Sequence, residues 1–150
     1  HLLARRLAVA DDIDPLVSLL AEIMLHHGVT PPPDGALRRV VGDILAARDH
    51  CFLVAVEAER IVAMCALIFS HSTWSASLVC ELQDVVVTAS CRRRNVGRGL
   101  LETAEALAGE RGCSRLFLSA ESWNLEAQRF YRSLGLAEKT YLYYERDLLG

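Results

Sequence analysis

The constraint that most narrows the fold lies in residues 82–107, LQDVVVTASCRRRNVGRGLLETAEAL. A β-branched run ends there, a loop carries four arginines and two glycines, and apolar residues then recur at helical spacing. A strand that turns into a helix through a basic, glycine-bearing loop requires a mixed fold, because neither an all-helical nor an all-strand layer accommodates both periods. The loop also suggests a ligand. Amide groups at a helix start lack intrahelical acceptors and carry about half a positive charge, so they hold phosphate well. Gly97 and Gly99 keep side-chain bulk away from such a group, Asn95 tolerates the left-handed conformation, and Arg92, Arg93, Arg94 and Arg98 add charge.

Length and composition fix the setting. The 150 residues are expected to form a single domain, 1–150, and 52% apolar with 23% charged residues excludes disorder and fibrous repeats. A net charge of −3 argues against nucleic-acid coating. The longest apolar runs, 51–56 and 61–69, fall far short of the roughly 18 to 20 residues that cross a bilayer, so no membrane association is expected. The opening HLLARRLAVADD does not read as a signal peptide. Five cysteines without CxxC pairing suit reduced thiols in the cytoplasm, and no metal-site spacing is present.

Residues from Asp11 onward, DDIDPLVSLLAEIMLHH, predict an amphipathic helix, broken by the proline loop 28–35, a plausible hinge, and followed by a second helix to about Arg48. Two apolar strands, 51–56 and 61–69, are joined by EAER as a hairpin, and a polar turn near Trp74 leads to a strand over 78–88. Then come a helix over 97–111, a strand over 115–120, a helix over 124–134 and a last strand over 140–146. The expectation is an α/β (α+β) fold, a mixed and mostly antiparallel sheet with helices on both faces. Strand alternation would put Glu81, Gln83 and Val85 on one face, with Leu82, Asp84 and Val86 on the other.

The loop fits neither of two familiar phosphate motifs. A Walker loop needs GKS or GKT, and Leu100 follows Gly99; a dinucleotide fingerprint belongs on the first strand. Thirty residues on, ESWNLEAQRFYRSLGL opens a helix at Asn124 and ends it at Gly135. Together, RRRNVGRGLL and NLEAQRFY resemble the GNAT-type N-acetyltransferases, with some similarity to their polyamine and thialysine branch. Arg92 and Gly97 fit the family's RxxGxG loop, with Gly99 two residues beyond, while Asn124, Ala127, Phe130 and Tyr131 match its NxxAxxFY helix. Asn95 stands where the family's first loop glycine falls.

That resemblance implies acetyl-CoA as co-substrate, no metal, and a small-molecule primary amine as acceptor, which attacks the thioester directly in a ternary complex. It assigns cofactor contacts to Val85, Val86 and Val87 through the main chain, to Arg92, Arg93, Arg94, Asn95, Val96, Gly97, Arg98 and Gly99, and to Asn124, Ala127 and Phe130. Tyr131 is the implied acid for the leaving thiolate. Glu81 or Asp84 would act as base, directly or through water, since Gln83 cannot accept a proton. Trp74 and His27 are candidate substrate contacts, and Cys91 lies too near the pyrophosphate end to carry an acyl group. A homodimer is expected by analogy, with TYLYYERDLL as a pairing strand. The alternatives are acetylation of a peptide or protein amine, or a non-catalytic acyl-CoA-binding domain. Residues 85–101 carry +4 and the rest of the chain −7, a division that suits a polyphosphate on one side and a cationic amine on the other.

Overall fold

A computed structural model describes residues 3–33, 35–92 and 95–149. The chain forms two compact units, His1–Ser119 and Ala120–Gly150.

The first unit is built on a sheet of five strands, β1 (Leu3–Leu7), β2 (His50–Glu57), β3 (Arg60–Ser72), β4 (Ser77–Val87) and β5 (Cys113–Phe117), in that spatial order. The first three pairings are antiparallel and β4 with β5 is parallel. In β2 and β3 the apolar runs are buried at consecutive positions, as expected where a strand is covered on both faces. Helices α1 (Ile13–His26) and α2 (Ala36–Ala46) supply Leu16, Leu19, Leu20 and Val41 to a core with Phe52, Val54, Met64, Ala66 and Val86. The alternate residues, Leu53, Cys65 and Leu67, are also buried and face the other side, where α3 (Val96–Glu110) packs on the sheet with Leu100, Leu101, Ala104 and Ala108 buried. The expected mostly antiparallel sheet with helices on both faces is therefore present.

Local chemistry explains the boundaries. Asp11 and Asp12 belong to a short 3₁₀ turn, and α1 begins at Ile13; Pro15 falls in its first turn, where its missing N–H costs nothing. The β2–β3 hairpin closes through Ala58 and Glu59, both at positive φ (50° and 63°), the two-residue turn whose twist matches the strands. No helix of the described residues is long and apolar enough to cross a membrane.

Two expectations about strands are corrected. Asp84 has φ 52°, and the β3–β4 register steps from Ala66↔Gln83 to Met64↔Val86, so one residue of β3 faces two of β4. This bulge reverses the phase: Leu82 pairs with Leu67 on the α3 side, whereas Val86 lies in the α1–α2 core, and the two do not share a face. The second correction is in the second unit, which holds α4 (Leu125–Ser133) and an Arg132–Glu138 ion pair at 2.9 Å. No strand forms over 140–146, and Tyr141, Leu142, Tyr143 and Tyr144 are 77–83% exposed. Alternation marks a segment able to pair, but a strand also needs a neighbouring edge for its backbone groups, and among the described residues none pairs with it.

Candidate active site

The carboxyl half of β4 is where the sheet opens. Parallel pairing with β5 ends at Glu81↔Phe117, while β4 runs on to Val87. Among the described residues, 82–87 therefore have strand neighbours on the β3 side only, and their outward backbone N–H and C=O groups form an edge able to pair with amide-bearing ligands. The bulge at Asp84 lies within this open stretch. Burial raises the Asp84 carboxyl above its ordinary range, against the opposing pull of His50, although its side chain reaches solvent. Glu81 lies at the last paired position, partly buried, and Gln83 is exposed.

Helix α3 starts nine residues after β4 ends. Asn95 is left-handed, φ 61° and ψ 18°, as its place in the loop demands, and its side chain makes no capping bond. The first turn of α3 holds no acidic residue. Amides of Val96, Gly97 and Arg98 thus lead the helix without a side-chain acceptor from the cap, the arrangement that receives an anion. Arg92 Nε donates to Val87 O at 3.2 Å, tying the loop to the end of β4. Arg93 and Arg94 lie outside the described residues. Gly99 has a contact the sequence did not reveal: a Cβ there would overlap the guanidinium of Arg5 from β1.

In the second unit, Asn124 caps α4 by accepting from the Ala127 N–H at 3.2 Å, which explains the spacing of that pair. Phe130 and Tyr131 are partly buried, with ring centroids 5.4 Å apart. Trp74 is fully exposed in the turn 73–76, ~23 Å along β4 from the bulge at about 3.3 Å per residue, so the structure does not bring it to the open edge. His27 ends α1, its N–H reaching the carbonyls of Ile23 and Met24. Cys91 is buried in the 3₁₀ turn before α3. None of the five cysteines forms a disulfide, and burial pushes Cys65 up to about 12 and Cys80 up to about 11. No group of metal-ligating side chains occurs among the described residues.

Sequence reasoning overlooked His50. It opens β2 and pairs with Ile68, which pairs with Glu81, so the three form one row across the sheet. A lone histidine ahead of an apolar strand carries no local signal, and only the pairing brings it into a row with Glu81.

Comparison with known proteins agrees with this geometry. The acetyltransferase (GNAT) family matches residues 17–136. Thialysine N-epsilon-acetyltransferase of Bos taurus is 26% identical over 138 residues, 92% of this chain and 76% of its own length. Among solved structures, a possible acetyltransferase from Clostridium difficile 630 superposes with a TM-score of 0.89 at 21% identity, all of both chains being covered. An aminoglycoside N-acetyltransferase in complex with CoA does so at 0.85 and 19% identity, over 98% of this chain and 95% of its own. With the open β4 edge and the uncapped α3 start on one sheet, and the family match extending through the Asn124–Tyr131 helix, the chain belongs to the GNAT family and is an acetyl-CoA-dependent N-acetyltransferase.

Proposed function

We propose that the chain acetylates a primary amine on a small molecule, by direct attack of the amine on the thioester while both substrates are bound. The observation that carries this is the break in β4: an unpaired strand edge and a bulged carboxylate, followed directly by an uncapped helix start. The edge 82–87 suits the amides of a pantetheine arm, through the main chain of Val85, Val86 and Val87. The α3 start suits the pyrophosphate, through Asn95, Val96, Gly97, Arg98 and Gly99 with Arg92, Arg93 and Arg94. Asn124, Ala127 and Phe130 complete that contact set by resemblance. The family match over residues 17–136 supports reading 1–150 as a single acetyltransferase domain in sequence.

An alkyl amine has a pKa near 10.4, so only on the order of one molecule in a thousand is the neutral nucleophile at pH 7. Of the two acids, Asp84 is the better base. It stands at the bulge, and a raised affinity for protons brings a carboxylate nearer the range where general bases work. Glu81 then serves to hold the ammonium. Tyr131 protonates the departing thiolate. His27 is a substrate contact at the end of α1, and Trp74 is one only for an elongated acceptor. Cysteines outside any disulfide support a reducing, cytoplasmic setting, and the alternating, exposed segment 140–146 supports a homodimer.

The test is thiol release from acetyl-CoA across a panel of diamines, amino-acid side-chain amines, aminoglycosides and a peptide with a free amino terminus. Release with small amines is expected. Release with the peptide alone would transfer the activity to protein amines. Thermal stabilisation by acetyl-CoA without release from any amine would leave only a binding domain.

A further inference from the structure

Arg5 and Arg6 are neighbours in β1 with opposite surroundings. Arg6 pairs with Val54, which lies in the α1–α2 core, and Leu7 pairs with Leu53, which faces α3. Strand alternation therefore sends Arg6 to the α1–α2 side and Arg5, two residues from Leu7, to the α3 side. Arg6 is held by Asp12. Arg5 is exposed on the edge strand of the sheet and makes no hydrogen bond or ion pair among the described residues. Its guanidinium lies against Gly99, in the place a Cβ would take.

That place is over the first turn of α3. Gly99 is the fourth residue of the helix, and a Cα–Cβ bond tilts toward the helix N-terminus, so a group standing where that Cβ would be covers the preceding turn. The amides leading this turn are those assigned above to the pyrophosphate. The helix offers the guanidinium no counter-charge there. Its first turn holds no acidic residue, and Glu110, the acid of the groove that Arg5 borders, is eleven residues on, ~16 Å at 1.5 Å per residue. Gly99 O already accepts from Thr103 Oγ1 at 2.9 Å. A cation over the positive end of a helix is repelled by the helix dipole, and an anion bound between the two reverses the sign.

We propose that Arg5 is a binding residue for the pyrophosphate of acetyl-CoA, a cation brought from the first strand to the α3 start, and that Gly99, by lacking a Cβ, seats it there. This rests on the reading of the α3 start as the pyrophosphate site. The planar guanidinium presents paired N–H donors that suit phosphate oxygens, and each such bond is charge-assisted. The role of Gly99 then differs from the one its sequence suggests: the bulk it withholds would displace the Arg5 side chain rather than the phosphate itself.

Three acetyl donors test the proposal: acetyl-CoA, acetyl-dephospho-CoA and acetyl-pantetheine, compared by kcat/KM with the best amine from the panel. Calorimetric Kd values for CoA and dephospho-CoA accompany them and need no turnover. Arg5→Gln should weaken both pyrophosphate-bearing donors equally, by about tenfold or more, and leave acetyl-pantetheine within about twofold. Gly99→Ala expels the guanidinium without removing it and should give the same pattern, and the double variant should be no worse than either single one. Arg6→Gln, on the other face, should lower Tm and keep the Kd for CoA within about twofold.

Unchanged affinities in Arg5→Gln, or an equal loss with acetyl-pantetheine, would overturn the binding role of Arg5. A loss confined to acetyl-CoA would move the contact to the 3′-phosphate, and additive losses in the double variant would separate Gly99 from Arg5; each overturns the proposal and leaves the acetyltransferase reading standing. A wild type that uses acetyl-pantetheine as well as acetyl-CoA would instead remove the pyrophosphate site at the α3 start, and the proposal with it.

Discussion

Replacement of Asp12 tests how the first unit is held at the entry to α1. Asp12 accepts two bonds from Arg6, at 2.7 and 3.0 Å, and one from the Val9 N–H at 2.7 Å, so one carboxylate ties β1 to the turn that starts α1. Asp12 is buried, whereas the Arg6 side chain is 44% exposed, so the pair must be valued near the surface range of 0.2–1 kcal/mol. The bond to Val9 is of capping type and contributes about 1 kcal/mol. Asp12→Ala should therefore cost about 2 kcal/mol, which for a chain of this size lowers Tm by about 4–8 °C. Asp12→Asn keeps an oxygen for the Val9 N–H and should lose about half as much.

The pH dependence follows from Arg6, whose hydrogen bonds hold the Asp12 carboxyl below its usual range, against burial and aided by the Val9 N–H. A carboxylate with a depressed affinity stabilises the fold above the unfolded value, about 3.9, and loses that contribution as the pH falls through the lower folded value. Thermal melts of wild type and Asp12→Asn should thus differ at neutral pH and converge in strong acid. A gap that persists undiminished in strong acid would show that the carboxylate charge contributes nothing, refuting the argument.

Gly99→Ala should leave the free protein's Tm within a few degrees, because a helix favours Ala over Gly by about 1 kcal/mol and only the flexible end of Arg5 must move; the stabilisation by acetyl-CoA should fall, as read by Tm with and without ligand. Asn124→Ala should destabilise α4 by about 1 kcal/mol and speed hydrogen exchange at the Ala127 amide, whereas Asn124→Asp should do neither. Tyr131→Phe should lower kcat by about a hundredfold with the Kd for acetyl-CoA unchanged, and an unchanged rate would remove Tyr131 from the mechanism. Iodoacetamide at mildly alkaline pH should spare Cys65 and Cys80 in the native protein and label both after unfolding, since burial keeps those thiols protonated.

What could be read from the sequence was chemistry contained in a few adjacent residues. Asn95 took the left-handed conformation its residue type permits, and the cap at Asn124 with its partner three residues on is a local geometric rule. Features that depend on a distant partner were not legible. The phase of β4 reverses because Cys65 of β3 is faced by two residues, and an aspartate at φ 52° gives less warning than a glycine would. The same holds for Arg5 against Gly99, where a strand meets a distant helix, and for His50 in one row with Glu81, aligned by strand order. The segment 140–146 errs in the other direction, since its alternation is a property of the segment and its pairing is not.

The position of the site follows from a mismatch in strand length. β5 has 5 residues and β4 has 11, and their parallel pairing begins near the amino-terminal end of both. The shorter strand must run out first, and the excess of β4 projects past it. Carboxyl ends of parallel strands are where open sheets bind ligands, because the connections diverge there and leave a crevice. Here the divergence also frees main-chain groups, and the bulge at Asp84 turns that freed stretch at its middle. α3 then returns the chain with its amides leading and no acidic side chain to occupy them. Lengthening β5 alone would close the edge without touching a catalytic side chain, so insertion of residues after Phe117 that continue its pairing should abolish acetyl-CoA binding while raising Tm. Retained binding in such a variant would mean that the open edge of β4 is not where the pantetheine arm lies.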